Sequence, residues 1–135
     1  MVKSCGWPHL FIFIFFLISE NPSPLDLYIL ISGHHCGKII IWFVRPEKSH
    51  YKLKYQLKGH THPVTELLTS PDNELVASGC IHGSQSVVNI WNISEGFLLR
   101  TINASGGIFD IAWISNEMIT VCFSLSKVTI CVQTF

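Results

Sequence analysis

The chain has 135 residues, of which 48% are hydrophobic and only 13% are charged. Its nine lysines and arginines balance its nine aspartates and glutamates. A chain of this length can bury a substantial core, so one folded domain is the natural expectation. A neutral chain lacks the basic surface that favours DNA, RNA or anionic lipid, so we expect no direct nucleic-acid partner.

Residues 1–20 form a hydrophobic N-terminal segment, which we separate from a folded region at 21–135. Its centre, Leu10–Ser19, is almost wholly apolar but too short to span a bilayer, which takes about 20 residues. The length suits the apolar region of a signal peptide, yet only Lys3 precedes it and no small-residue cleavage site follows. The segment is either signal-like, or a buried strand, or a start that does not belong to the fold.

From Asp26 onward, short apolar runs alternate with clusters of glycine, proline, asparagine and aspartate. Runs of this length between turn residues are typical of strands, and no stretch keeps a helical period beyond two turns. The sequence therefore predicts an all-β protein, either a sandwich, a barrel or a propeller. The ten predicted strands are Tyr28–Ile31, Lys38–Val44, Lys52–Leu57, Val64–Thr69, Leu75–Ser78, Val87–Ile93, Phe97–Ile102, Ile108–Trp113, Met118–Cys122 and Val128–Gln133.

Internal repetition favours the propeller. The runs ISGHHCGKIIIWFV and ASGCIHGSQSVVNIWNI both read Ser-Gly, polar turn, apolar strand and tryptophan, and they end near Trp42 and Trp91. A third run, GGIFDIAW, repeats the start of the unit and ends at Trp113. We interpret the three tryptophans as blade anchors. The pattern predicts two to three four-stranded blades, whereas propellers usually close with four to eight, so we expect an unclosed ring that can self-associate.

The frame from Gly59-His60 to Trp91-Asn92 resembles the WD40 repeat. The resemblance implies a buried hydrogen-bonded relay of His60, Ser78 and Trp91, completed by an aspartate in the turn between the second and third strands. His82 stands where that aspartate belongs, and in the first copy Cys36 does. We expect the relay to be incomplete, at a cost on the order of 1–3 kcal/mol for a buried histidine without its partner. His82 is not expected to replace the acid, because histidine gains a proton near pH 6.5.

The region from about residue 21 to 135 also resembles the last blades of the transducin beta-like, F-box-like WD-repeat corepressor proteins. The specific part of this resemblance is GGIFDIAW at Gly106–Trp113, because most WD40 repeats carry Gly-His there. The resemblance implies a nuclear, non-enzymatic scaffold whose partners are subunits of a nuclear-receptor corepressor and histone deacetylase complex.

Catalysis and cofactor binding have little support in the sequence. No phosphate-binding glycine loop or nucleophile motif occurs. The clusters His34-His35-Cys36 and His60-Thr61-His62 contain zinc-binding residue types, but neither has a second cluster at ligand spacing. The five cysteines are odd in number and lack C-x-x-C spacing, which indicates free thiols in a reducing compartment. We therefore predict no metal, no cofactor and no enzyme.

One alternative to the nuclear scaffold is a secreted or membrane-tethered β-domain. It requires residues 1–20 to be a genuine targeting or anchoring segment. The sequons at Asn92 and Asn103 would then become candidate glycosylation sites, and these two asparagines matter only in that case.

Overall fold

The computed structural model of the chain describes residues 28–45, 50–123 and 127–132, and in that part every regular element is a strand. The hydrophobic segment at residues 1–20 lies outside the described residues. All ten predicted strands are present. They are β1 (Tyr28–Gly33), β2 (Lys38–Arg45), β3 (His50–Lys58), β4 (Val64–Thr69), β5 (Leu75–His82), β6 (Gln85–Asn92), β7 (Leu98–Ser105), β8 (Ile108–Ser115), β9 (Met118–Phe123) and β10 (Lys127–Val132).

The strands form three antiparallel sheets in chain order. Blade 1 has the order β1-β2-β3, blade 2 has β4-β5-β6-β7, and blade 3 is formed by β8, β9 and β10 with β9 in the middle. Each connection is between neighbours, as expected where short turns join consecutive strands. The all-β prediction is confirmed, and blades that follow one another in this way are those of an open part of a propeller rather than of a sandwich or barrel.

Two apolar layers hold the three blades together. The layer between blades 1 and 2 contains isoleucines of β1 and β2, Leu57 of β3, and, from blade 2, Trp91 and Ile93 at the end of β6. The layer between blades 2 and 3 joins Val88 and Ile90 of β6 to strands β8 and β9. Since each blade buries a face only against its neighbour, the fold is a stack of sheets rather than one closed core.

Polar contacts between turns reinforce this stacking. The Tyr55 hydroxyl donates to the Ser94 carbonyl oxygen at 3.0 Å, which ties β3 of blade 1 to the β6–β7 turn of blade 2. The Asp72 N–H donates to Asn116 Oδ1 at 3.1 Å, which ties the β4–β5 turn to the β8–β9 turn of blade 3. The polar turn residues that punctuate the sequence therefore also join adjacent blades.

The hairpin between β5 and β6 differs from its predicted form. We predicted that the second strand of blade 2 ends at Ser78 and that its third strand begins at Val87, with a polar turn between them. Instead both strands continue, Cys80 pairs with Val87 and His82 pairs with Gln85, and the turn is reduced to Gly83 and Ser84. Gly83 supplies the positive φ of 60° that so tight a turn requires. The residues between Ser78 and Val87 therefore lengthen the hairpin instead of forming a loop.

Candidate functional site

The polar centre of blade 2 is a hydrogen-bonded chain of three side chains. The Trp91 indole N–H donates to Ser78 Oγ at 2.7 Å, and His60 Nε2 lies 2.7 Å from the same oxygen. The three side chains are buried, with 2%, 0% and 8% of their surface exposed for Trp91, Ser78 and His60. Residues that are far apart in the sequence therefore meet as the WD40 resemblance implies.

The strand register explains how these residues meet. Ser78 of β5 pairs with Asn89 of β6, so Trp91 lies diagonally across the two strands from it. His60 arrives from the connection between β3 and β4, where Gly59 leaves room for the indole. A Cβ atom at Gly59 would lie 2.6 Å from Trp91 Cη2, which no side chain can accept without movement. In the Gly-His pair, Gly59 therefore lets the backbone lie close to the Trp91 indole, and His60 places its polar ring beside Ser78.

The other ring nitrogen of His60 has a neighbour that the sequence analysis missed. Cys80 Sγ lies 3.0 Å from His60 Nδ1, and Cys80 is 2% exposed. Our expectation that His60 lacks a partner is therefore wrong, because the lengthened β5 continues past Ser78 and brings the next inward residue beneath the ring. The structure describes the backbone of His82 but not its side chain, so its inability to replace the acid stays a prediction.

The distances allow two proton arrangements in this relay, and His60 is neutral in both. Either Cys80 donates to Nδ1 and Nε2–H donates to Ser78, whose hydroxyl then donates to the Asn89 carbonyl oxygen at 3.4 Å, or the Ser78 hydroxyl donates to Nε2 and Nδ1–H donates to Cys80 Sγ. Burial lowers the pKa of His60 from 6.5 to about 4, against a smaller opposing effect of hydrogen bonding to the Ser78 backbone. Burial also raises the pKa of the Cys80 thiol. Both groups are neutral at pH 7, so the relay is a structural device and holds no activated nucleophile.

Blade 1 contains a related arrangement built from different positions. The Trp42 indole N–H donates to Ser32 Oγ at 3.2 Å, and His34 Nε2 lies 2.9 Å from that oxygen. Here the histidine comes from the turn inside the same hairpin rather than from the connection before the blade. We placed His34 in that turn only as an expected polar residue, and missed this contact. Trp42 is half-buried, and Cys36, in the place of the relay acid, is exposed.

Trp113 joins two blades. It lies on β8, the first strand of blade 3, rather than at the end of a third strand. Its indole N–H donates to the Leu68 carbonyl oxygen at 3.3 Å, and its ring packs on the layer between blades 2 and 3. Of the three predicted anchors, Trp91 is the buried one, and Trp42 and Trp113 are half-buried.

The histidine and cysteine clusters that contain zinc-binding residue types do not form a metal site in the described part of the chain. The turn carrying His34 lies against the connection carrying His60, since the Val64 N–H donates to the His34 carbonyl oxygen at 3.2 Å. Even so, within residues 28–45, 50–123 and 127–132 no three His, Cys, Asp or Glu side chains are grouped so that they could hold a metal ion. A search of the same residues for a helix long and apolar enough to cross a membrane also finds none.

One family profile and several known proteins are similar to this chain. The WD40 family profile (WD domain, G-beta repeat) matches residues 51–92, which run from β3 through Asn92 at the end of β6. The small ribosomal subunit protein RACK1z of Arabidopsis thaliana is 34% identical over 86 residues, covering 64% of this chain and 22% of that protein. RACK1y of Oryza sativa subsp. japonica is 27% identical over 114 residues, covering 84% and 29%.

One further relative and one solved structure of the same fold extend this likeness. The ribosome biogenesis protein BOP1 homolog of Drosophila virilis is 28% identical over 106 residues, covering 78% of this chain and 11% of that protein. The crystal structure of the Myceliophteria thermophila Cps50 (Swd1) β-propeller domain matches 70% of this chain and 28% of its own, with a TM-score of 0.56 and 21% identity. The chain thus spans less than a third of each protein. Residues 51–92 match the WD40 repeat profile, and the chain has the fold of an open part of a β-propeller.

Proposed function

We propose that the chain is a non-enzymatic scaffold that binds other proteins. The observation that carries this proposal is the sealed relay of blade 2, in which His60, Ser78, Trp91 and Cys80 are buried and bonded to one another. The histidine, serine and cysteine side chains, which are residue types that can serve in catalysis, therefore stabilise the blade. What the blade offers to other molecules is its surface of strand edges and turns, as in repeat proteins that present extended binding surfaces.

Our finer proposal is that this scaffold serves a nuclear corepressor complex with a histone deacetylase. It rests on the run GGIFDIAW at Gly106–Trp113, where the corepressor proteins similarly depart from the usual Gly-His. In the structure Gly106 has a φ of 103°, and its carbonyl oxygen accepts a short hydrogen bond from the Ser86 hydroxyl. These contacts support a specific role for glycine at this position, and the nuclear location remains part of the proposal.

A second candidate is a scaffold on the ribosome. It is favoured by the relatives, since RACK1z and RACK1y are named as small ribosomal subunit proteins and the BOP1 homolog as a ribosome biogenesis protein. These proteins are much longer than the match, so the likeness supports a shared type of blade more than a shared complex.

Co-purification from cells distinguishes these proposals. The full chain, tagged and expressed in cells, should capture a reproducible set of proteins, and a His60→Ala/Trp91→Ala variant should lose that set because the blade no longer holds its shape. Enrichment of deacetylase-containing nuclear complexes supports the corepressor proposal, and co-sedimentation with small ribosomal subunits supports the second. If the intact chain captures no more protein than the variant does, the scaffold proposal is wrong.

A further inference from the structure

The zero net charge of the chain hides a strong separation of charge between blades. Residues 28–58 contain six lysines and arginines and a single acidic residue, Glu47. Residues 59–132, which form the other two blades, contain two basic residues, Arg100 and Lys127, and six acidic residues. Blade 1 is therefore basic and the other two blades are acidic. The zero net charge led us to expect no basic surface, but net charge is a sum over the whole chain and does not describe how charge is distributed over the surface.

The basic side chains concentrate on β3 and the end of β2. In the described residues β3 is an edge strand, paired on one side with β2 and on the other side with no strand. Arg45, Lys52 and Lys58 are exposed, and no described acidic side chain forms an ion pair with them. Phe43, Arg45, His50 and Lys52 line an open depression of about 330 Å³ beside this edge. We call Arg45 with His50–Lys58 the basic edge.

Apolar groups accompany the charges on the basic edge. Tyr51 is 64% exposed and Leu53 is 48% exposed. The Lys54 ammonium lies 4.9 Å from the Phe43 ring centroid and 5.2 Å from that of Tyr55, so aromatic rings already hold one cation in place. The outer strand of blade 2, β7, offers a comparison, because it exposes Leu98 and Leu99 but carries only Arg100.

We propose that the basic edge binds an acidic, extended segment of a partner protein, which adds to β3 as a further strand. An edge strand offers unpaired N–H and C=O groups to an extended peptide, and its side chains set the choice of peptide. Lysines on an edge usually repel other strands. Here they would exclude neutral and basic strands and admit an acidic one. This inference rests on the proposed scaffold function and adds the class of its partner.

The charge distribution argues against a longer polyanion as the occupant. A nucleic acid or an anionic membrane would extend beyond blade 1 and meet the carboxylates of blades 2 and 3. Asp72, Glu74, Glu95 and Glu117 are exposed in the turns of those blades. Since exposed charges interact over about 8 Å at physiological ionic strength, these carboxylates would repel a polyanion lying across the blades. A peptide about as long as β3, which has nine residues, would lie on that strand alone.

Fluorescence anisotropy with the full chain tests the inference. The probe is a labelled decapeptide with glutamate at alternate positions and valine or threonine between them. The wild-type chain should bind it, and Arg45→Glu/Lys52→Glu should weaken binding by about tenfold or more, because each reversal replaces attraction by repulsion. Arg100→Glu on β7 is the matched control and should bind as the wild type does. Equal binding by the double variant would overturn the site.

Modified probes test the binding mode without changing the protein. A decapeptide methylated on alternate backbone nitrogens should bind much more weakly, and one with lysines in place of glutamates should not bind. Binding of the methylated peptide at full strength would overturn strand addition. A single-stranded RNA 12-mer or a phosphatidylserine vesicle that binds as tightly, and competes for β3, would overturn the choice of an acidic peptide.

Two further measurements keep the outcomes separate. A photo-crosslinking decapeptide on the wild-type chain should label β3 rather than β7, which tests the site even if the double variant does not fold. The scaffold proposal is judged independently by co-purification. If the chain captures its proteins but binds no acidic peptide, the basic-edge inference is wrong and the scaffold proposal stands. If the chain captures no proteins, the scaffold proposal is wrong, whatever the peptide assay shows.

Discussion

Acidification should destabilise the fold through His60. In the unfolded chain this ring binds a proton near pH 6.5, whereas burial lowers its pKa in the folded protein to about 4. Between these values the unfolded state holds more protons, so stability falls as the pH falls. The contribution of His60 is constant above about pH 6.5 and fully lost below about pH 4. The difference corresponds to roughly 3 kcal/mol in total, of which about 2 kcal/mol is lost by pH 5.

Urea denaturation of the wild type and of His60→Gln between pH 7.5 and 4.5 measures this contribution. Glutamine does not titrate, so the difference between the two free energies of unfolding isolates His60 from other groups such as His34, whose pKa burial also lowers. We expect the advantage of the wild type to shrink by about 2 kcal/mol between pH 7.5 and pH 5. Parallel curves for the two proteins would refute the reasoning. An NMR titration of the His60 ring in the wild type gives the same answer if the variant does not fold, and a midpoint near 6.5 would contradict the buried relay.

Three other outcomes are expected. Trp91→Ala should cost about 3–5 kcal/mol, as for other buried aromatic truncations, and half-buried Trp42→Ala clearly less; equal thermal stability of Trp91→Ala and wild type would refute the blade assignment. Gly37→Ala should lower the melting temperature much more than Gly83→Ala. Both glycines have a positive φ, but only at Gly37 would the new Cβ meet another atom, the His60 carbonyl oxygen at 2.4 Å. A larger effect at Gly83 would contradict the packing around Gly37. Light scattering after size exclusion should show self-association of the purified full chain, because an incomplete ring leaves blade faces and strand edges uncovered; a monodisperse monomer with one sharp melting transition would contradict this.

Most of the fold could be predicted because turn chemistry acts locally. The Pro71-Asp72-Asn73 turn illustrates this: Asn73 has a φ of 61°, and Asp72 Oδ1 accepts from the Ser70 hydroxyl at 2.5 Å and from the Glu74 N–H at 3.1 Å. All of these residues are adjacent in the sequence, and they are residue types that form turns. Strand order followed from such turns, since each one joins neighbouring strands.

The parts of the site that escaped prediction depend on register. Cys80 lies beyond the predicted end of β5 at Ser78, and only the pairing of Cys80 with Val87 shows that β5 continues past Ser78. The WD40 resemblance implies an aspartate as the partner of His60, so it does not predict a thiol there. The hydrogen bond between Ser32 and His34 was also not predicted. In the repeat pattern the histidine of the relay precedes the blade, whereas His34 lies within the hairpin.

The connection from Gly59 to Pro63 links blade 1 to blade 2 and carries the relay histidine. β3 runs directly into it, and the β1–β2 turn rests on it through the bond from the Val64 N–H to the His34 carbonyl oxygen. Tension applied along β3 would therefore reach the His60 backbone within a few residues. A load on the outer edge of blade 1 is therefore transmitted to the polar centre of blade 2 through this one segment of backbone.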